Sequence, residues 1–192
     1  IREVTAARLD QVFDLVPLFR PRSVVCHAAF DRRYYLSNEE AWFENSIRTW
    51  TPLVRRAGEL GTSLMIENVY EDRPDELKIL IESLKNGAGA GQAPVGFCFD
   101  TGHWNAFSLS SLEAWMAALG PFTGQIHLHD NDGSGDQHLP VGEGTFPFHR
   151  FMDALERAGR TPIVTIEPHT REALEKSLKN IAAMNLLATK GC

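Results

Sequence analysis

One stretch of twenty residues, 125–144, holds three histidines, three aspartates and a Gly-Glu-Gly turn. His127 and His129 alternate with apolar residues in a predicted strand, so their side chains lie on one face of it. Asp136 and His138 follow, two residues apart, after a Gly-rich loop. Imidazole and carboxylate groups gathered at the end of a strand predict a divalent-metal site rather than a polar surface loop.

Other potential ligands occupy the same position, at the end of an apolar run that predicts a strand: His27, Glu67, Asp100 and Glu167. In a (β/α)8 barrel the carboxyl ends of all strands converge on the catalytic face, whereas an open sheet binds ligands only near a switch point. Because so many of the predicted strands end in a potential ligand, we expect the sheet to close into a barrel around one axis. The alternative, that these carboxylates cap helices, suits an aspartate but not a glutamate, which is a poor cap.

Strands and helices alternate at spacings of roughly 30 to 40 residues, which predicts right-handed βαβ units and a parallel sheet. The predicted strands cover residues 23–30, 62–69, 94–100, 126–129, 138–141 and 162–168. The predicted helices cover residues 5–19, 38–60, 73–84, 111–119, 148–158 and 171–187, with Ser37 or Asn38 as the cap of the second. Residues 31–35 are expected to form a loop.

Composition and charge restrict the function. With 192 residues, 43% of them hydrophobic, the chain is long enough for one domain with a substantial core. The net charge of −6 argues against a large nucleic-acid surface, which is normally basic. Cys26 and Cys98 lie in apolar runs, so we expect buried, reduced thiols and a cytoplasmic protein. No apolar stretch has the length of a membrane span.

Five motifs together resemble those of the xylose isomerase-like TIM barrels, a family that includes sugar isomerases and epimerases and the endonuclease IV class. In chain order the motifs are Ile66-Glu67-Asn68, Phe99-Asp100-Thr101-Gly102-His103, Ile126-His127-Leu128-His129-Asp130, Asp136-Gln137-His138 with Gly142-Glu143-Gly144, and Ile166-Glu167-Pro168. The third is similar to the family's sixth-strand histidine motif, and the last to its eighth-strand glutamate in the epimerase-like form. The resemblance implies an α/β protein with the fold of a (β/α)8 TIM barrel.

The resemblance also implies one divalent-metal centre, formed by Glu67, Asp100, His127 and Glu167. Three carboxylates and one imidazole suit Mn²⁺, Mg²⁺, Fe²⁺ or Co²⁺ and tolerate Zn²⁺. Four further residues match a second set of positions: His27, His103, Asp136 and His138. In the endonuclease branch these positions hold further zinc ions, up to three ions in all. In the sugar branch some of them surround the substrate. His129 and Glu143 are expected to orient neighbouring ligands without binding the ion.

The number of strands departs from the family. The family barrel has eight strands, and the sequence supplies six, corresponding to the third to the eighth. We therefore expect residues 1–192 to form a single domain that lacks the first two strands, as a fragment, as an open barrel or as a sheet that another chain completes. Because an exposed strand edge invites pairing, we predict a homo-oligomer through the edge of the strand that ends at His27.

The expected activity is that of a divalent-metal-dependent isomerase or epimerase whose substrate is a sugar or a sugar phosphate. In this reaction the metal polarises a carbonyl and its neighbouring hydroxyl. Glu67 and Glu167 then transfer the proton by way of an enediolate, and His103 holds a substrate oxygen.

Two alternatives stay open. The first is a zinc phosphodiesterase similar to endonuclease IV, which cleaves abasic-site DNA with two or three metal ions. The loops that follow Asp100 and His127 contain no Lys or Arg for phosphate, and only residues 31–35 are both basic and aromatic, so nucleic acid is not the expected partner. The second alternative is a barrel that binds metal or sugar without turnover.

Overall fold

Five parallel strands form one continuous sheet in the computed structural model, which describes residues 2–35, 38–87 and 94–187. The strands lie in the sheet in chain order, as successive βαβ units require. They are β1 (Ser23–His27), β2 (Ser63–Glu67), β3 (Val95–Asp100), β4 (Thr123–Leu128) and β5 (Ile163–Ile166). The predicted α/β class and parallel sheet are confirmed, and the described residues form a half-barrel with β1 and β5 at its edges. The predicted contact along the β1 edge stays a prediction.

Helices connect the strands and pack against one face of the sheet. The helices of the described residues are α1 (Arg2–Asp14), α2 (Val16–Phe19), α3 (Arg32–Tyr35), α4 (Glu39–Glu59), α5 (Asp75–Gly87), α6 (Thr101–Phe107), α7 (Leu112–Leu119), α8 (Phe148–Arg157) and α9 (Arg171–Ala183), with a 3₁₀ turn at Gly120–Phe122. Asn38 occupies the N-cap position of α4 without a side-chain capping hydrogen bond, while Ser37 lies outside the described residues. Over the described part of the chain, every helix is too short or too polar to span a lipid bilayer.

The strand predicted at residues 138–141 is wrong. In the part of the chain that the structure describes, this segment makes only an isolated antiparallel bridge between Leu139 and Asp130. His138 has a φ of +50°, which is outside the strand region, and Pro140 has no N–H to donate to a ladder. The sheet therefore has five strands where six were expected.

Four helical segments also differ from the prediction. The first predicted helix is split between α1 and α2, because Pro17 has no N–H for the bond to Phe13 and crowds its carbonyl. Residues 31–35, expected to be a loop, contain the short helix α3, and α6 follows β3 directly where no helix was predicted. The last helix ends at Ala183, and residues 184–187 form turns.

The sheet curls strongly toward one face, which we call the inner face. Ser23 Oγ on β1 donates a hydrogen bond to Gln125 Oε1 on β4 at 2.5 Å. In a flat sheet, three strand spacings would separate these strands by about 14 Å. Side chains on the inner face of strands that are not neighbours therefore meet, which is the condition for a shared site at the strand ends.

Alternating residues give the sheet a polar inner face and an apolar outer face. On β3, Phe97 and Phe99 point outward and pack against Trp115 of α7, with ring centroids 6.2 Å apart in both pairs. Cys98 and Asp100 alternate with them and lie among the potential metal ligands on the inner face. All six residues of β3 are buried, since this strand is central in the sheet and covered on both faces.

Candidate metal centre

The four predicted ligands of a single ion converge at the carboxyl end of the sheet: Glu67, Asp100, His127 and Glu167. His127 Nδ1 lies 3.0 Å from Glu67 Oε1 and 2.9 Å from Glu167 Oε1. Asp100 Oδ2 lies 3.9 Å from the same nitrogen. Donor atoms bound at about 2.0–2.2 Å to one ion are separated by about 3–4 Å, so these spacings suit a shared cation.

Among the described residues, the carboxylates of this centre pair with histidines and with no Lys or Arg. Within the described ranges, every ion pair made by Glu67, Asp100 or Glu167 is with a histidine. Burial raises the pKa of Glu67, but hydrogen bonds from His127 and His27 outweigh it and hold this pKa at about 2. A hydrogen bond from His127 likewise lowers the pKa of Glu167. Both carboxylates are therefore charged at neutral pH.

His127 supplies the charge that these carboxylates need in the absence of a cation. Burial lowers the pKa of its imidazole, but hydrogen bonds to Cys98, Glu167 and Glu67 dominate and raise it to about 12. A divalent ion would take over this role by displacing the proton on Nδ1. Three carboxylate groups around one exchangeable proton form a donor set that a divalent cation fits.

Asp100 has two structural roles besides facing the centre: its carboxylate caps a helix and holds the His129 ring. Its Oδ1 accepts the N–H of His103 at 2.7 Å and caps α6, so the capping alternative applies to this residue. The same carboxylate accepts Nε2–H of His129 at 2.9 and 3.0 Å. Oδ2 is the oxygen that faces His127 Nδ1, and it is oriented toward the centre by these two contacts.

Two buried residues that were not predicted, Asn68 and Thr101, hold the strand ends together. Asn68 Nδ2 donates to the carbonyl of Asp100 at 3.0 Å, and Asn68 Oδ1 accepts the N–H of Asp100 at 2.9 Å. Thr101 Oγ1 lies 3.1 and 2.7 Å from the carbonyls of His127 and His129. The available signal was their position directly after a candidate ligand, where a buried polar side chain needs a partner on the next strand.

His129 fits tightly between Asp100 and the backbone of α6. A methyl group on Gly102 would lie 2.0 Å from Cε1 of the His129 ring, so only glycine leaves room for it. Nδ1 of this ring is buried and has no hydrogen-bond partner. A contact of this kind with Asp100 is the one that an orienting residue would make, and the orienting role of His129 stays a prediction.

Two of the remaining predicted residues, His103 and His138, direct a ring nitrogen toward a third, Asp136. His103 Nδ1 bonds to the carbonyl of Asn68 at 2.9 Å, and His138 Nδ1 bonds to the carbonyl of Glu167 at 3.1 Å. Because a carbonyl only accepts, both histidines carry a proton on Nδ1 and direct Nε2 elsewhere. Their Nε2 atoms lie 3.4 and 3.3 Å from Asp136 Oδ2.

His27 lies at the rim of the centre. Its Nε2 is 3.0 Å from Glu67 Oε2, and 53% of its side chain is exposed. Glu67 is therefore contacted by His127 through one oxygen and by His27 through the other. The structure brings His27 to the same carboxylate that faces the metal centre, on the side open to solvent.

Three histidine rings form a stack beside the centre. The rings of His129 and His138 are parallel, with centroids 3.8 Å apart, and His138 stacks on His169 at 4.0 Å. An ion bound to both His129 and His138 would lie between the two rings, out of each ring plane by about half of the distance between them. That displacement is nearly as long as a whole Zn–N bond of about 2.0–2.1 Å, so neither ring could direct its nitrogen lone pair at the ion. These two rings therefore cannot bind one ion together as they stand. His169 is exposed and covers the end of the stack.

Asp130 holds the loop that carries Asp136 and His138. Its carboxylate is fully buried and accepts four backbone N–H groups, those of Asn131, Gly142, Gly144 and Phe146, at 2.9 to 3.1 Å. Glu143, in the same turn, points to the surface, where its carboxylate pairs with Lys176 at 3.3 Å. This placement gives no support to the predicted role of Glu143 in orienting ligands.

Three solved structures share the fold, and their descriptions name zinc or likeness to a sugar epimerase. The protein TTHB071 from Thermus thermophilus, soaked with zinc chloride, is 26% identical with a TM-score of 0.70, over 98% of this chain and 71% of its own. A D-tagatose 3-epimerase-like protein is 20% identical with a TM-score of 0.72, over 97% and 69%. The protein IolI with bound zinc is 16% identical with a TM-score of 0.75, over 95% and 70%. The last two likenesses show the fold alone.

The curated relatives that match the chain are longer than the matched region. The uncharacterized protein MJ1311 of Methanocaldococcus jannaschii is 24% identical over 151 residues, which are 75% of this chain and 50% of that protein. The uncharacterized protein y4fM of Sinorhizobium fredii is 25% identical over 88% of this chain and 54% of its own length. The chain thus spans about half the length of these relatives.

The model of the xylose isomerase-like TIM barrel family matches residues 2–186, nearly the whole chain. The five-stranded half-barrel and its chain-order topology agree with this match. The resemblance seen in the sequence is confirmed, and the chain belongs to the xylose isomerase-like TIM barrel family.

Proposed function

We propose that this protein is a divalent-metal-dependent isomerase or epimerase that moves a proton between carbons of a sugar. The observation that carries the proposal is the pair of glutamates that reach one nitrogen, His127 Nδ1, from strands at opposite ends of a four-strand arc. Glu67 Oε1 and Glu167 Oε1 lie 3.0 and 2.9 Å from it. A solved protein with a similar fold is described as D-tagatose 3-epimerase-like, which supports the same class of reaction.

Each residue has a definite part in this reaction. A divalent cation held by Glu67, Asp100, His127 and Glu167 would polarise the substrate carbonyl and make the neighbouring C–H acidic. Glu67 and Glu167 would face the reacting carbons from two directions, so that one removes a proton and releases it to solvent, while the other takes a proton from solvent and delivers it to carbon. Their lowered pKa values keep both carboxylates unprotonated at neutral pH, as the group that accepts the proton must be.

Substrate oxygens are held by the histidines that meet at Asp136. His103 and His138 direct Nε2 toward this carboxylate, and their Nδ1 protons are fixed by backbone carbonyls. A sugar hydroxyl between them would donate to one of these nitrogens or to the Asp136 carboxylate. The rings then set the orientation of the substrate without taking part in proton transfer at carbon.

The charge distribution favours a sugar over DNA. Arg32 is paired with Glu39, Asp72 and Glu76, and Arg33 is paired with Asp31 at 3.1 Å. These are the basic residues of the one segment, 31–35, that combines basic and aromatic side chains at this end of the sheet. Arginines that are neutralised by acids release few counterions from a phosphate backbone, so they provide little affinity for nucleic acid. The same argument favours an unphosphorylated sugar.

The test is exchange of substrate protons with solvent. The protein is loaded with Mn²⁺, Co²⁺ or Zn²⁺ in D₂O and mixed with a panel of ketopentoses and ketohexoses, and deuterium at C3 and C1 is followed by NMR. We expect incorporation and a second sugar with at least one member of the panel, and loss of both with Glu167→Gln. Cleavage of abasic-site DNA without sugar exchange would refute the proposal in favour of the phosphodiesterase.

A matched control separates chemistry from folding. Glu175→Gln makes the same change at an exposed residue of α9 that pairs with Arg171 at 2.8 Å. The Glu175→Gln variant should incorporate deuterium into the sugar at the wild-type rate. Bound metal is measured for both variants, because Glu167→Gln removes a ligand as well as a base. Equal turnover of Glu167→Gln and wild-type protein would refute the assigned role of Glu167.

A further inference from the structure

A glutamine lies directly beneath the metal centre, on the inner face of the sheet. Gln125 is on β4, two residues before His127, and only 7% of it is exposed. Its side-chain amide contacts three groups from three strands: Oε1 accepts Ser23 Oγ–H at 2.5 Å, and Nε2 lies 3.0 Å from His127 Nε2 and 3.2 Å from Thr165 Oγ1. The amide therefore reaches the ring nitrogen of His127 that faces away from the carboxylates.

The two nitrogens of His127 have different partners. Nδ1 faces Glu67 Oε1 and Glu167 Oε1, so it is the nitrogen that would bind a cation. A neutral imidazole that binds metal through Nδ1 carries its proton on Nε2. That proton points into the buried interior at Gln125, and a buried donor without an acceptor is destabilising.

The structure has the amide nitrogen of Gln125 facing His127 and the oxygen facing Ser23, and a half-turn of the amide brings the oxygen to the Nε2 proton. An amide offers an oxygen that accepts and an NH₂ group that donates, and the two ends exchange places by a half-turn about the last side-chain bond. The other two contacts, Ser23 and Thr165, are hydroxyls, which donate or accept by rotation. His127 is therefore the partner that decides which end of the amide it faces. The Cys98 thiol also contacts His127, but sulfur is a weak acceptor.

We propose that Gln125 is a positioning residue for the metal centre: its Oε1 accepts the Nε2 proton of His127 and thereby presents Nδ1 to the cation. This inference rests on the proposed function only in its metal centre, and it holds for any reaction at that centre. Residues that orient a metal-binding histidine in this way typically contribute 10–100-fold to metal affinity.

The test measures zinc affinity by competition with a chromophoric chelator. Gln125→Met keeps the approximate size of the side chain and removes the acceptor, and we expect zinc to bind about 10–100-fold more weakly. Gln125→Glu keeps an acceptor and should restore tight binding. Thr165→Val removes a hydroxyl that contacts the amide but not the imidazole, and it should keep the wild-type affinity. Equal zinc affinity of Gln125→Met and wild-type protein would overturn the inference.

A second measurement does not depend on whether a variant folds. In wild-type protein with ¹⁵N-labelled histidine, zinc should shift the His127 signals to those of a ring with metal on Nδ1 and a protected proton on Nε2. Zinc on Nε2 would overturn the inference even if the centre binds zinc tightly. Failure of wild-type protein to bind zinc, Mn²⁺ or Co²⁺ would instead refute the metal centre, and with it the proposed function.

Discussion

Replacement of Asp130 by asparagine tests how the loop that carries Asp136 and His138 is held. Each oxygen of the Asp130 carboxylate accepts two backbone N–H groups: Oδ1 those of Asn131 and Phe146, and Oδ2 those of Gly142 and Gly144. The amide keeps the shape of the side chain but places an NH₂ group opposite two of these donors. The substitution therefore removes two charge-assisted hydrogen bonds while leaving the volume unchanged.

The size of the effect follows from the count of bonds. Two hydrogen bonds to a charged group contribute about 1.5–3 kcal/mol each, and hydration of the half-buried glycine N–H groups returns part of this, so we expect a loss of about 2–4 kcal/mol. For a chain of this length, 1 kcal/mol corresponds to a change in Tm of about 2–4 °C, so Tm should fall by roughly 5–15 °C.

Urea and thermal unfolding measure this loss, with Asp132→Asn as the control. Asp132 is exposed and accepts the N–H and hydroxyl of Ser134 within the same turn, so its substitution should cost less than about 1 kcal/mol. Hydrogen exchange should also accelerate at Gly142, Gly144 and Phe146 in Asp130→Asn alone. Equal stability of the two variants would refute the view that Asp130 organises the loop.

Three further predictions concern the centre itself. Gly102→Ala places a methyl group 2.0 Å from the His129 ring, so it should cost about 1–3 kcal/mol by overpacking and weaken zinc binding, whereas Gly135→Ala, with open space around it, should be neutral in both measurements. Since the pKa of His127 is raised to about 12, a cation must displace its proton, and zinc affinity should rise about tenfold per pH unit between roughly pH 5 and 8; a pH-independent affinity in chelator competition would contradict this. Zinc at 100 times its Kd should stabilise the protein by about 2.7 kcal/mol over the EDTA-treated form in thermal unfolding, and an unchanged Tm would mean that the folded centre does not bind it.

The convergence of the four candidate ligands could be predicted because strand geometry is simple. An apolar run identifies each strand, parallel strands share a carboxyl edge, and residues two apart share a face. These rules place Asp100, His127 and Glu167 together without knowledge of any side-chain contact. The outward packing of Phe97 and Phe99 follows from the same alternation.

What could not be predicted depends on contacts between loops. The segment around His138 resembles a strand in sequence, but its conformation is set by the buried carboxylate of Asp130, which binds the turn that follows. The structural role of Asn68 depends on the backbone of Asp100, thirty-two residues away. Helix α6 was not predicted because its cap, Asp100, had already been assigned to the metal.

The ligands of the centre come from four successive strands and are far apart in the sequence. A cation bound by Glu67, Asp100, His127 and Glu167 draws on contacts of high sequence separation, and such contacts form late in folding. During synthesis Glu167 is the last of the four to leave the ribosome, so a complete coordination sphere requires that β5 has already docked. Metal uptake in this protein would therefore report that the sheet is assembled, and a chain arrested before β5 would acquire no tightly held ion.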